Sequence, residues 1–75
     1  MKLKLPRVSA DKVVKLLKKL GFVCVRQSGS HQIYRNAEGK RVTVPRHSKK
    51  ILHPKIIKSI IQDTDLTFEK FIELL

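Results

Sequence analysis

The hydrophobic period of the chain changes at Gly21, and this one switch limits the folds open to it. Before the glycine, Val13, Leu16, Leu17 and Leu20 recur at i, i+3, i+4 and i+7, the spacing of a single buried helical face. After it, Phe22 to Gln27 is rich in aromatic and β-branched residues, which suit a strand. Ser9 is placed to cap the helix, Lys18 and Lys19 complement the negative end of its dipole, and Gly21 suits the left-handed position just past its end. The chain has 75 residues, enough for one domain over residues 1–75 with a modest core. A chain of that size buries only about 60% of the surface its unfolded form exposes, so a large enclosed active site is not expected.

Beyond the first strand, Ser28-Gly29-Ser30 supplies turn chemistry and His31 to Arg35 reads as a second strand, forming a hairpin with the first. Asn36-Ala37-Glu38-Gly39 is the next turn, and Lys40 to Val44 gives a third strand closed by Pro45. The neighbours Phe22, Val23 and Val25 describe a buried first strand, which makes Cys24 a core residue. Arg46-His47-Ser48-Lys49-Lys50 is a basic loop. His53 lies near the cap of a second helix with Pro54 in its first turn and a stripe of Ile56, Ile57, Ile60 and Ile61. Thr67 caps a short terminal helix whose Phe68, Phe71, Ile72 and Leu75 are expected to face inward. The sequence thus predicts an α+β fold of order α-β-β-β-α, with a three-stranded antiparallel sheet and a short C-terminal helix.

Charge narrows the function. The formal net charge is +11, and it is uneven: through Lys58 sixteen Lys and Arg face two acids, Asp11 and Glu38, whereas from Ser59 onward Lys70 faces Asp63, Asp65, Glu69 and Glu73. Such a field favours polyanions, since neutralising phosphates releases condensed counterions. No apolar run approaches the roughly 20 residues needed to span a bilayer, and the basic start of the chain lacks an apolar stretch with a small-residue cleavage site. A cytoplasmic protein without membrane association is expected. Cys24, His31, His47 and His53 show no pair spacing typical of zinc, so neither metal nor other cofactor is expected.

His31 is the candidate for chemistry. Side-chain parity places His31, Ile33 and Arg35 on one face of the second strand and Gln32 and Tyr34 on the other. His31 would then end a half-buried row, beside a Gly-Ser turn whose backbone N–H groups could hold a phosphate oxygen. Imidazole is the side chain whose unperturbed pKa lies nearest neutrality, which suits it to accept a proton. RNA cleavage asks for little more: its 2′-hydroxyl must lose a proton and attack the adjacent phosphorus, and one proton-transfer group contributes about 10²–10⁴-fold. On the residues alone, structural, RNA-contacting and catalytic roles for His31 all stay open. Tyr34 is expected to pack or to touch a partner protein rather than stack on a base.

Leu20-Gly21-Phe22 closing a helix, Arg26-Gln27-Ser28-Gly29-Ser30-His31, and Arg41-Val42-Thr43-Val44-Pro45 with His47 two residues on resemble the HicA family of bacterial and archaeal toxins. The likeness extends through the acidic-apolar end, Phe68 to Leu75. It implies a fold like that of double-stranded-RNA-binding domains and a metal-independent endoribonuclease that cleaves mRNA and arrests growth. It also implies neutralisation by a HicB-type antitoxin. The family's catalytic histidine falls on His31, and Gly29 and Ser30 match the turn that positions it. His47 matches a position that often holds histidine. Many relatives carry a second histidine or an aromatic residue at the next position, where this chain has Gln32, so a pair of adjacent histidines is not available. Arg35, Lys49 and Lys50, with His47, are the candidates for RNA contact. The free toxin is expected to be a monomer. The competing readings are a non-catalytic RNA-binding module of the same fold and a regulatory protein–protein module.

Overall fold

A computed structural model describes residues 7–46 and 51–75. The element order is α1 (Ala10–Lys19), β1 (Val23–Ser28), β2 (His31–Arg35), β3 (Arg41–Pro45), α2 (Pro54–Thr64) and α3 (Phe68–Leu74). The three strands form one antiparallel sheet in the order β1-β2-β3. This is the expected α-β-β-β-α arrangement with its short terminal helix, an α+β fold of the double-stranded-RNA-binding-domain kind. Strand limits differ by one residue from the sequence expectation: β1 and β3 each begin and end one residue later.

The helix ends follow from local chemistry. Ser9 caps α1, its hydroxyl accepting from the Lys12 N–H. At the other end the Phe22 N–H donates to the Leu17 carbonyl at 2.9 Å and the Gly21 N–H to Lys18 at 3.1 Å, with Gly21 at φ +90°. That paired closure needs a left-handed residue after the helix, which glycine adopts without a side-chain clash. The end of α2 repeats it with Asp65 at φ +61°, where the Leu66 and Asp65 N–H groups return to Ile61 and Gln62. A non-glycine there costs about 1–2 kcal/mol. His53 is the N-cap of α2 itself: its Nδ1 accepts from the Lys55 N–H at 3.1 Å.

One face of the sheet meets the helices. Tyr34, Val42 and Val44 are buried there against Val13, Leu16 and Leu17 of α1, Ile57 and Ile60 of α2, and Phe71. Both α1 and α2 lie against β3. The Ser9–Ile51 bridge and the Leu52 N–H to the Val8 carbonyl at 2.9 Å tie the segment before α2 to the entrance of α1.

Three expectations are corrected. Cys24 is exposed, not core, and so is every residue of β1. This edge strand lies beyond the helical cover, and it carries an unpaired bulge residue at Val25, where the register passes from Cys24–Tyr34 to Arg26–Ile33. The row of His31, Ile33 and Arg35 is the solvent-open one, with His31 and Arg35 exposed; the other row faces the helices, with Tyr34 buried and Gln32 half-buried. In α3 only Phe71 is fully buried; Phe68 is half-buried, and Ile72 and Leu75 are 39% and 41% exposed. A seven-residue helix offers the core little more than one inward position, and Leu74 rather than Leu75 adds to it. In α2, Ile56 and Ile61 flank the buried Ile57 and Ile60.

Candidate functional site

The β1–β2 turn consists of Gly29 and Ser30, between the paired residues Ser28 and His31. Gly29 takes φ +58° while Ser30 does not turn positive, the pattern of a two-residue hairpin loop with glycine in the first central position. This tight closure fixes His31 as the first residue of β2. Its exposed side chain belongs to the open face, opposite Ser28 on one side and Pro45 on the other. No hydrogen bond or ion pair from another described residue engages its imidazole.

Behind the turn, on the helix side of the sheet, lies a hydrogen-bonded clasp. The Arg46 N–H donates to the Ser30 carbonyl at 2.6 Å. The Arg46 guanidinium reaches Asp11 Oδ1 through Nε at 3.1 Å and Nη2 at 2.9 Å, and Gln32 Oε1 through Nη1 at 3.3 Å. Gln32 Nε2 donates to Gln27 Oε1 at 3.2 Å, and Gln27 Nε2 donates to the Gly29 carbonyl at 3.3 Å. Both carbonyls of the turn are therefore held, one by the end of β3 and one by β1. Tyr34 Oη completes the set by donating to Gln32 Oε1 at 3.0 Å. Burial pushes the Tyr34 phenol above its ordinary value, with Cys24 adding to the effect and Arg46 opposing it. Tyr34 is thus a packed core residue with its hydroxyl satisfied, as the sequence suggested.

Gln32 gains a role from this arrangement. Adjacent strand residues point to opposite faces, so position 32 cannot share a face with His31, and here it links Arg46 to Gln27 instead. Arg46 and Asp11 were not singled out from the sequence. They are 35 residues apart, and nothing short of the fold brings them together. The Gln27–Gln32 pair was not read from the sequence either: a turn of Ser28-Gly29-Ser30 would set Gln27 opposite His31, whereas the observed two-residue turn pairs Ser28 with His31 and Gln27 with Gln32.

On the open face Arg35 lies beside Arg26 and Arg41, which with Val25 and Ile33 line a shallow groove of about 380 Å³. His47, Lys49 and Lys50 lie outside the described residues. Lys12, Lys15, Lys18 and Lys19 are all exposed along α1. No group of three or more His, Cys, Asp or Glu comes together among the described residues, and no helix among them is long and apolar enough to cross a membrane.

No curated protein matches the chain. The family model described as the HicA toxin of bacterial toxin-antitoxin matches residues 10–66, which run from the start of α1 to just past the end of α2 and include His31 and the whole clasp. By that match, and by the fold that carries it, the chain belongs to the HicA toxin family of bacterial toxin–antitoxin systems.

Proposed function

We propose that this toxin is a metal-independent endoribonuclease acting on mRNA, with His31 as its general acid/base. The observation that carries the reading is an exposed imidazole on the open face of the sheet, at the end of a turn whose two carbonyls are held from behind. In the reaction neutral His31 takes the proton of the 2′-hydroxyl, and the 2′-oxygen attacks its own adjacent phosphorus. The bond from phosphorus to the 5′-oxygen breaks, and that oxygen leaves with a proton from water or from the imidazolium. The products are a 2′,3′-cyclic phosphate and a 5′-hydroxyl end. Cations stabilise the charge on the phosphorane. Gly29 and Ser30 position the substrate at the turn, and Arg35, with Lys49, Lys50 and His47, contacts RNA.

A family of toxin–antitoxin systems implies an antitoxin partner. We take it to be a HicB-type protein that covers His31 and offers acidic groups to the basic face, which makes association fast at low salt. The test is induced expression of wild type and His31→Ala in parallel, following growth, soluble protein and the chemistry of RNA ends. Arrest with cyclic-phosphate ends in wild type only, at equal soluble protein, is the expected result. The second reading, a non-catalytic RNA-binding module, draws on the absence of any described group orienting the imidazole. Under it cultures grow alike with either form, and His31→Ala weakens RNA binding only moderately.

A further inference from the structure

The open face of the sheet carries charges that the fold does not use. Arg35 and Arg41 are direct cross-strand partners in the β2–β3 register, and like charges so placed destabilise a sheet. Arg26 joins them from β1, opposite Ile33. None of the three forms an ion pair or a side-chain hydrogen bond among the described residues; the ion pairs there are Lys40–Asp65, Arg46–Asp11 and Lys70–Glu73. Between the arginines, Val25 is 52% exposed at the bulge and Ile33 is half-buried. The same face holds His31, four residues before Arg35, or about 13 Å along β2.

We propose that this face is a single-stranded RNA track, with Arg26, Arg35 and Arg41 holding the strand beside His31 and Val25 and Ile33 lying under its bases. This deepens the ribonuclease reading and rests on it. Guanidinium groups suit both parts of such a strand, since they bind phosphate oxygens in pairs and stack their planes on bases. Exposed aliphatic side chains serve unstacked bases, whose faces a duplex hides. A single strand also has the backbone freedom to bring its 2′-oxygen in line with the phosphorus. The bulge at Val25 is part of the device: it adds an apolar side chain to the edge of the groove and sets Arg26 on the open face.

The test uses the full chain in a His31→Ala background, so that binding is read without cleavage. The probes are a short labelled RNA of mixed sequence, alone and annealed to its complement. Arg26→Gln with Arg41→Gln is expected to weaken single-strand binding about tenfold and to flatten the salt dependence by about 1.4 in log–log slope, near 0.7 for each phosphate no longer neutralised. The same double variant should unfold at an equal or higher temperature, because a like-charge pair is relieved. Unchanged single-strand affinity overturns the track while leaving the ribonuclease reading intact, as does duplex RNA binding as tightly and weakening as much. If the double variant keeps its RNA affinity and loses only that for poly-glutamate, the arginines face an acidic protein and the proposal falls. Failure of the His31→Ala chain to bind RNA in any form would remove both.

Discussion

Asp11→Ala separates the clasp from simple electrostatics, because the two make opposite predictions. Asp11 is one of two acids in the basic part of the chain, so under the proposed function its removal adds to the attraction for RNA. Yet it receives two donors from Arg46, the residue that holds the Ser30 carbonyl. The pair is partly exposed, 39% for Arg46 and 51% for Asp11, so the surface value of about 0.2–1 kcal/mol applies. Asp11 also occupies the first turn of α1, where a carboxylate gains about 0.3–1 kcal/mol from the helix dipole, offset in part by the better helix propensity of alanine. A net loss of up to about 1 kcal/mol follows, and in a domain of this size that lowers Tm by up to roughly 4–8 °C. If the pair also holds the turn in its reactive geometry, up to the same energy is lost from the transition state, about fivefold in rate. Single-turnover cleavage of a short RNA at saturating enzyme should therefore slow by up to about fivefold while binding tightens or stays level. A rate unchanged or raised alongside the expected drop in Tm would refute the reasoning and leave the clasp a purely structural feature.

Replacing the cap residue, His53→Ala, should cost about 0.5–2 kcal/mol in urea unfolding, and His53→Asp should restore it, since a carboxylate accepts the same N–H and favours the helix N-terminus. The Lys40–Asp65 ion pair, 2.8 Å long, predicts a pH signature. Its hydrogen bond holds the Asp65 carboxyl below its ordinary value of 3.8, so this contribution is present above that pH and is lost as pH falls through the lowered folded value. Lys40 is raised above 10.5 by the same bond, so its contribution is present below that pH and is lost as pH rises through the raised folded value. The small stability difference between wild type and Lys40→Gln should accordingly vanish in strong acid; a difference that persists there contradicts the assignment. Cys24 in the folded protein should react with a maleimide about as fast as in urea, and strong protection would restore it to the core.

The order of elements was legible because each boundary carries its own chemistry: Ser9, Gly21, the Ser28-Gly29-Ser30 turn, Pro54 and Thr67 lie at or beside the ends they were read to mark, although Ser28 proves to belong to β1. Parity correctly sorted β2 into two rows but not which row the helices cover. The information lay in β3, where Val42 and Val44 alternate with Arg41 and Thr43. Carried across the Asn36–Gly39 turn, that pairing sets Val42 opposite Tyr34 and Val44 opposite Gln32, which marks their face as the core. Cys24 misled because the composition of β1 is that of a buried strand. Its exposure depends on how far the helices extend across the sheet, a tertiary quantity that no local pattern encodes. Around the candidate site, the place of His31 beside a Gly-Ser turn was readable from local sequence, whereas Arg46 and Asp11 meet only through the fold.

The two rows of β2 also bear on how a toxin of this kind can diverge. Gln32 and Tyr34 answer to the clasp and the core, while His31, Ile33 and Arg35 answer to solvent and to whatever lies upon the sheet. Substitutions at alternate positions can therefore retune what the open face of the toxin binds, while its architecture is inherited unchanged. Length is less forgiving. One residue inserted between His31 and Arg35 puts the two on opposite faces of the sheet, so that one of them turns to the core unless a bulge like that at Val25 absorbs it. Lineages are therefore free to lengthen the Asn36–Gly39 turn, but hardly the strand before it.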